Sequence, residues 1–303
     1  MHDSRSYLIY LAQASFISRR FLQKLLEKNS DVTTLLNWTI SDLANQFRLT
    51  EQNAARFFHY LHDQALMQLT LQKLTGIKVW TIIDCDYPNS LKNIPDPPVV
   101  LYGLGKTQLI HHCPALAVVG TRHPSNYAKK HIYQLLYPLV TNNWLIVSGL
   151  AKGIDGYAHR IATYYHGQTI AAIAGGFNHP YPRENLSLFH HLKEKHLIIS
   201  EYPPNQKPER YHFPERNRLI SGLSFATLVV EAKERSGSLI TADQALEQGR
   251  EVMAVPGLIS EEYAQGCHNL INNGAKLVQN TYDIIEEWHA IERKWCRTIV
   301  DND

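Results

Sequence analysis

From residue 116 onward, short apolar runs recur with helix-length segments between them, and this alternation limits the chain to very few folds. The runs cover residues 116–119, 144–148, 169–173, 197–200, 226–230 and 252–255. They are close to continuously apolar, as strands buried on both faces are, rather than alternating like half-exposed strands. Helical segments are expected at 125–140 and 155–166. The pattern predicts an α/β fold with a doubly wound, mostly parallel sheet covered by helices on both faces. Residues 6–75 differ. Leu8, Leu11 and Ala12, then Phe21, Leu22, Leu25 and Leu26, then Phe57, Phe58 and Leu61 recur at helical spacing with no strand-like alternation. A small all-helical domain is expected there, with Ser18 and Ser41 as N-caps. It ends near Thr75-Gly76. Residues 78–83 then read as a strand, and Pro88, Pro95, Pro97 and Pro98 mark an extended connector rather than a helix.

In an open parallel sheet, ligands bind beyond the carboxyl ends of the strands, and here those ends carry small and basic residues. The first strand ends in Gly120-Thr121-Arg122. The second enters Ser148-Gly149-Leu150-Ala151-Lys152-Gly153-Ile154-Asp155, which opens a helix containing His159. The third reaches Gly175-Gly176 and then Tyr181-Pro182-Arg183-Glu184-Asn185. A later strand ends at Glu231, shortly before Ser236-Gly237-Ser238-Leu239-Ile240-Thr241. A strand, a glycine turn and a helix N-terminus bind anions through free N–H groups and the helix dipole. Four such turns in strand register point to a phosphate-lined groove. Arg122 and Arg183 suit bidentate phosphate contact or plain surface solvation. Within Phe213-Pro214-Glu215-Arg216-Asn217-Arg218, the arginines fit either ligand contact or a clamp on backbone carbonyls and Glu231. Asp155 reads as a helix cap and His159 as a packed histidine, both structural. Tyr127, Phe177, Tyr181 and Phe213 are available to stack bases.

Composition narrows the function classes. The net charge of +2 hides a division: residues 116–231 carry 12 Lys/Arg against 7 Asp/Glu, and residues 232–303 carry 7 against 12. A basic centre suits a polyanion. No Walker loop, G-x-G-x-x-G fingerprint or G-x-S-x-G nucleophile elbow is present. Cys85, Cys113, Cys267 and Cys296 lie far apart, so neither a zinc site nor a disulfide framework is expected. None of the 16 histidines stands out as a metal ligand, and no cofactor is expected. With no signal pattern and no apolar run of membrane-spanning length, a cytoplasmic protein without membrane contact is expected.

Several strings together resemble one family. Val118-Val119-Gly120-Thr121-Arg122, the Ser148–Asp155 loop with Ala158-His159, Tyr181-Pro182, Ser200-Glu201, Phe213–Arg218, Val230-Glu231-Ala232, Ser236–Thr241 and Val255-Pro256-Gly257 are similar, in order and spacing, to the DNA-processing protein A (DprA, or Smf) family. The resemblance implies an extended Rossmann-like, DNA-binding domain over residues 76–290. A small helical domain like a sterile alpha motif would precede it over 1–75. A tail at 291–303 would follow, too short for the winged helix that many relatives carry. It implies binding of single-stranded DNA, protection of incoming DNA, loading of the RecA recombinase in natural transformation, a homodimer and no enzymatic activity. By position, Arg122 and Arg183 fall where the family contacts DNA. Gly120, Thr121, Ser148, Gly149, Lys152, Gly153, Gly175, Gly176, Asn185, Arg216, Asn217, Arg218, Ser236 and Gly237 complete the expected DNA-binding set, with Asp155, His159 and Glu231 structural. The chain departs from the family at Ala128, where glycine is common, and at Asn178, where aspartate is common. The competing expectation is a phosphoribohydrolase of the lysine-decarboxylase-like type, which cleaves nucleoside monophosphates on a similar sheet. Its Pro-Gly-Gly-x-Gly-Thr-x-x-Glu string is replaced here by Ser236–Thr241, without the carboxylate.

Overall fold

The computed structural model describes residues 3–28 and 31–300, with side chains to residue 297. Two compact units emerge. The first runs to Tyr87 and includes Pro98–Leu101, and the second comprises Pro88–Pro97 and the chain from Tyr102. The first unit therefore extends past the expected boundary at residue 75, because it retains the strand that follows the helices.

The first unit holds helices α1 (Ser4–Ala12), α2 (Arg19–Lys28), α3 (Ile40–Phe47), α4 (Glu51–His62) and α5 (Gln64–Gln72), then strand β1 (Lys78–Thr81). Leu8, Leu11, Leu25, Leu43, Phe57 and Leu61 are buried among them, as the helical spacing predicts. Ser18 accepts from the Phe21 N–H at the start of α2. The cap of α3 differs from expectation: Thr39, not Ser41, holds the N-terminus, and Asp42 returns the bond to form a capping box. Arg5 ties α1 to the strand, with Nη2 donating to the Val79 carbonyl at 2.7 Å and Nε to Asp84 at 3.0 Å.

The second unit begins with α6 (Asn89–Lys92), a short helix inside the segment expected to be an extended connector, and resumes at Tyr102 within β2 (Val100–Gly105). The α/β series follows: β3 (Ala115–Val119), α7 (Asn126–Thr141), β4 (Leu145–Ser148), α8 (Ile154–Tyr164), β5 (Gln168–Ala172), α9 (Leu186–Lys195), β6 (Leu197–Ser200), α10 (His212–Gly222), β7 (Ala226–Val229), α11 (Gly237–Glu247), β8 (Glu251–Ala254), α12 (Gln265–Asn272), β9 (Lys276–Leu277) and α13 (Thr281–Val300). Residues 291–300, expected as a tail, continue α13; residues 301–303 lie outside the described residues. Among the described residues, no helix is long and apolar enough to cross a membrane.

Strand order in this unit is β2-β6-β5-β4-β3-β7-β8-β9. All neighbours from β6 to β9 pair parallel, and β2 pairs antiparallel with β6. The fold is thus α/β with a mostly parallel, Rossmann-like sheet. The chain builds outward from β3 to β6, then returns to the other side of β3 with β7. That reversal leaves a crevice beyond the carboxyl ends of β3 and β7, where such sheets bind ligands.

Ser125 caps α7 by accepting from the Ala128 N–H. Ala128, Ile132, Leu135, Leu136 and Leu139 then face the sheet. Trp144, Phe225 and Trp288 close the core below β3, with ring centroids 5.7 and 5.1 Å apart along the series. Phe225 is fully buried between the two indoles. Replacing Phe225 by alanine should cost about 3–5 kcal/mol through lost burial and a cavity, read as a lower urea midpoint by circular dichroism.

Candidate nucleic-acid interface

The loop from Gly149 to Gly153 is held from below by buried polar groups. Ser148 donates from Oγ to the Val118 carbonyl at 2.6 Å, joining β4 to β3. Arg216 reaches up from α10, and its Nη1 donates to the carbonyls of Gly149 (2.5 Å) and Ala172 (2.6 Å). One guanidinium thereby ties the ends of β4 and β5. A Cβ on Gly149 would lie 2.0 Å from that nitrogen, so the glycine is there for close approach. Burial lowers the Arg216 pKa to about 10, with Arg122 adding to the fall and Asp155 opposing it. The group still carries its proton at neutral pH.

Asp155 is buried. It sits in the first turn of α8 but does not cap it: Gly153 occupies the cap position without a side-chain bond. The carboxylate turns back instead and accepts from the Gly149 N–H at 3.0 Å. Burial pushes its pKa up, while Arg216 and the backbone N–H groups of Gly149 and Ala151 pull it down. Leu150 has a left-handed φ of 58°, which brings its N–H onto His159 Nε2 at 3.3 Å. Since Nε2 accepts, Nδ1 carries the proton and donates to Thr169 Oγ1 (2.7 Å), whose own hydrogen goes to the Ile146 carbonyl (2.6 Å). His159 is therefore neutral, its pKa lowered by burial to about 3. Asn185 completes the frame, donating to the Leu150 and Ala151 carbonyls at 2.9 Å and accepting from Arg160 at 2.7 Å.

Two adjoining cavities lie above this frame. One spans Arg122, His123, Lys152, Gly175, His179 and Tyr181. The other, at the β3–β7 crevice, spans Gly120, Thr121, Asn217, Lys233, Ser236 and Gly237. Arg122, His123, Ala151 and Phe213 line both, so they form one trough. Arg122 is exposed and stands over the Phe213 ring, 5.6 Å from its centroid. Tyr181 meets the same ring edge-on at 5.8 Å. Lys152 pairs with Glu184, both half-exposed. Ser236 caps α11 and bonds Ser238 at 2.7 Å. Asn217 donates to the Gly237 carbonyl at 3.4 Å.

The expected residues divide. Gly120, Thr121, Arg122, Gly149, Lys152, Gly175, Arg216, Asn217, Ser236 and Gly237 line the trough. Gly153 holds a positive φ of 76° against the Thr121 carbonyl, and Gly176 packs against the Pro203 and Pro204 carbonyls. Arg183 is exposed in the turn beside Glu184 and lines neither cavity. Ser148 and Asn185 are buried struts. Arg218 is buried and paired with Glu201 and Asp96, so it faces away from the trough. Glu231 accepts from Ser125 Oγ (2.5 Å) and N–H (2.9 Å) rather than from an arginine. Phe177 is buried, whereas Tyr127 and Tyr181 are exposed. His123, His179 and Lys233 escaped the sequence reading, although each lies within a few residues of a strand-end turn.

Comparison with known proteins rests on this same unit. The sequence profile of the DNA recombination-mediator protein A family matches residues 78–289. The chain belongs to that family. DNA processing protein DprA of Bacillus subtilis is 50% identical over 212 residues, covering 70% of this chain and 71% of that protein. The Streptococcus pneumoniae DprA is 39% identical over 286 residues, covering 93% and 98%. Its X-ray structure superposes with a TM-score of 0.82 at 36% identity, covering 93% of this chain and 97% of that one. The Helicobacter pylori DprA, described for its single-stranded DNA binding mode, superposes with a TM-score of 0.64 at 28% identity, covering 71% and 96%.

Two predictions follow from the buried frame. Arg216→Ala takes the buried donor from the Gly149 and Ala172 carbonyls and the nearby positive charge from buried Asp155, and should destabilise the fold by about 3–5 kcal/mol, seen as a lower urea midpoint. His159 stays neutral when folded but binds a proton near pH 6.5 when unfolded. Its stabilising effect is thus complete above pH 6.5 and lost as pH falls toward 3. Between pH 6.5 and 5 this is about 2 kcal/mol. Urea midpoints for His159→Gln should fall less steeply than wild type over that range.

Proposed function

We propose that the trough binds single-stranded DNA without strong sequence preference and that the protein acts as a recombination mediator. The observation that carries this reading is the row Arg122–Phe213–Tyr181 above a crevice of backbone turns. A guanidinium for phosphate lies beside two aromatic rings for bases, a pairing that suits an unpaired strand and is indifferent to sequence. Arg122, Lys152 and Arg183 supply the positive charge, and the turns at Gly120–Thr121 and Ser236–Gly237 let a strand approach the backbone. The relatives named DNA processing protein support the same reading, as does the single-stranded DNA binding described for the Helicobacter pylori protein.

Among the described residues, the trough is lined by one carboxylate, Asp155, already committed to the Gly149 N–H. With no carboxylate poised for proton transfer, a binding role is favoured over the phosphoribohydrolase alternative. We further propose that the protein protects incoming DNA, loads RecA onto it during natural transformation, acts in the cytoplasm and works as a homodimer. The domain from residue 76 to 290 would carry the DNA, and the helical domain would assist it.

The test is fluorescence anisotropy with single- and double-stranded oligonucleotides across a salt series. Tight, salt-sensitive preference for the single strand is expected. Arg122→Ala combined with Arg183→Ala should weaken binding and lower the slope of log affinity against log salt by about 1.4, or about 0.7 per lost phosphate contact. Unchanged affinity and slope would refute the proposed site.

A further inference from the structure

Helices α7 and α8 present an unusual surface. Between Leu116 and Arg183 the sequence holds six Lys/Arg and a single carboxylate, Asp155, which is buried. The exposed surface of this stretch therefore carries no fixed negative charge of its own. It also carries six tyrosines on α7, α8 and the residue after: Tyr127, Tyr133, Tyr137, Tyr157, Tyr164 and Tyr165. Tyr127 is 67% exposed and Tyr164 is 75% exposed, and Tyr133 and Tyr137 also face solvent.

The rings are arranged before any ligand arrives. Tyr133 and Tyr137 stack with centroids 5.4 Å apart. Tyr165 meets Tyr137 edge-on at 4.7 Å, and Tyr164 meets Tyr165 at 4.9 Å. Lys129 lies over the Tyr157 ring, 5.2 Å from its centroid. A shallow hollow runs between these helices and α9, bordered by Lys129, Arg160 and His191 and, among the described residues, by no carboxylate. Packed aromatic rings flanked by cations lose little side-chain freedom on binding, and every base has a face to stack on them.

Hydrogen bonds tie the border of the hollow to the wall of the trough. Arg160, which borders the hollow, bonds Asn185, and Asn185 holds the carbonyl of Ala151, which lines the trough. Helix α8 starts beside Lys152 and Gly153 and ends at Tyr164, 11 residues later, or about 16 Å along its axis. That distance corresponds to roughly five nucleotides at the phosphate spacing of a stacked strand.

We propose that the tyrosine-lined face of α7 and α8 is a second segment of the binding path, on which single-stranded nucleic acid leaving the trough stacks its bases. This rests on the reading of the trough given above. The charge chooses the occupant: a cationic, aromatic face with no carboxylate complements a polyanion with exposed bases.

The test uses the full chain and two labelled thymidine oligonucleotides, one of about 6 nucleotides to fill the trough and one of about 16 to reach the tyrosines. Tyr133→Ala combined with Tyr164→Ala should bind the short oligonucleotide like wild type and the long one about tenfold more weakly. Tyr133→Phe combined with Tyr164→Phe should match wild type on both, because the ring rather than the hydroxyl stacks. Should the alanine pair disturb folding, seen as a lowered melting temperature, Tyr164→Ala with Lys129→Gln carries the same comparison from exposed positions. Equal affinity of wild type and alanine variant for the long oligonucleotide would overturn the proposal while leaving the trough intact. An equal loss on both oligonucleotides, or on duplex as much as on single strand, would also overturn it. Failure of wild type to bind either oligonucleotide would overturn the trough reading, and this one with it.

Discussion

The guanidinium of Arg216 is the contact on which the site is built. Parallel strands that end side by side leave carbonyls pointing beyond the sheet without ladder partners, and a buried carbonyl without a donor is costly. Arg216 answers two of them at once, on β4 and on β5. A buried cation needs a nearby negative charge, which Asp155 supplies from the start of α8. Asp155 in turn fixes the Gly149 N–H, and Gly149 must lack a side chain for the guanidinium to fit. Arginine, glycine and aspartate, contributed by α10, the β4 turn and α8, form one unit. Removing any of them loosens the other two.

Above that unit the loop has little freedom left. Its N–H groups at Gly149 and Leu150 and its carbonyls at Gly149, Leu150 and Ala151 are bonded to Asp155, His159, Arg216 and Asn185. The motif residues thus fall into two layers. A buried layer of Ser148, Asp155, His159, Asn185 and Arg216 sets the backbone, and an exposed layer of Arg122, Lys152, Arg183 and Tyr181 faces solvent. Pre-setting the backbone leaves less ordering to be done when a ligand arrives.

Much of this was legible in the sequence. Six central strands are near-continuous apolar runs, and that alone forces a buried parallel sheet. β2 and β9 were hidden, the first by Gly103 and Gly105 and the prolines before it, the second by being two residues long. The glycine turns were correctly placed at strand ends, but burial was not visible. Arg216 and Arg218 are two residues apart in one helix, yet one meets carbonyls and the other Glu201 and Asp96, because their facing elements come from distant sequence. Asp155 looked like a cap because carboxylates favour a first turn. Its carboxylate instead reaches back to the Gly149 N–H, in a turn whose left-handed residue is Leu150, a conformation that a leucine does not advertise. The aromatic face was half legible: Tyr133 and Tyr137 are four apart on α7, but Tyr165 joins them only when α7 and α8 pack together.

The ion pair between Lys152 and Glu184 at the rim of the trough gives the site a counterion of its own. An anion arriving at Lys152 must displace a tethered carboxylate rather than a mobile ion from solution, and that carboxylate remains close by to compete. A lone phosphate gains one contact and must overcome this competition in full. A ligand with many contacts spreads the same cost more thinly, so this pairing weighs most on a ligand that carries a single phosphate.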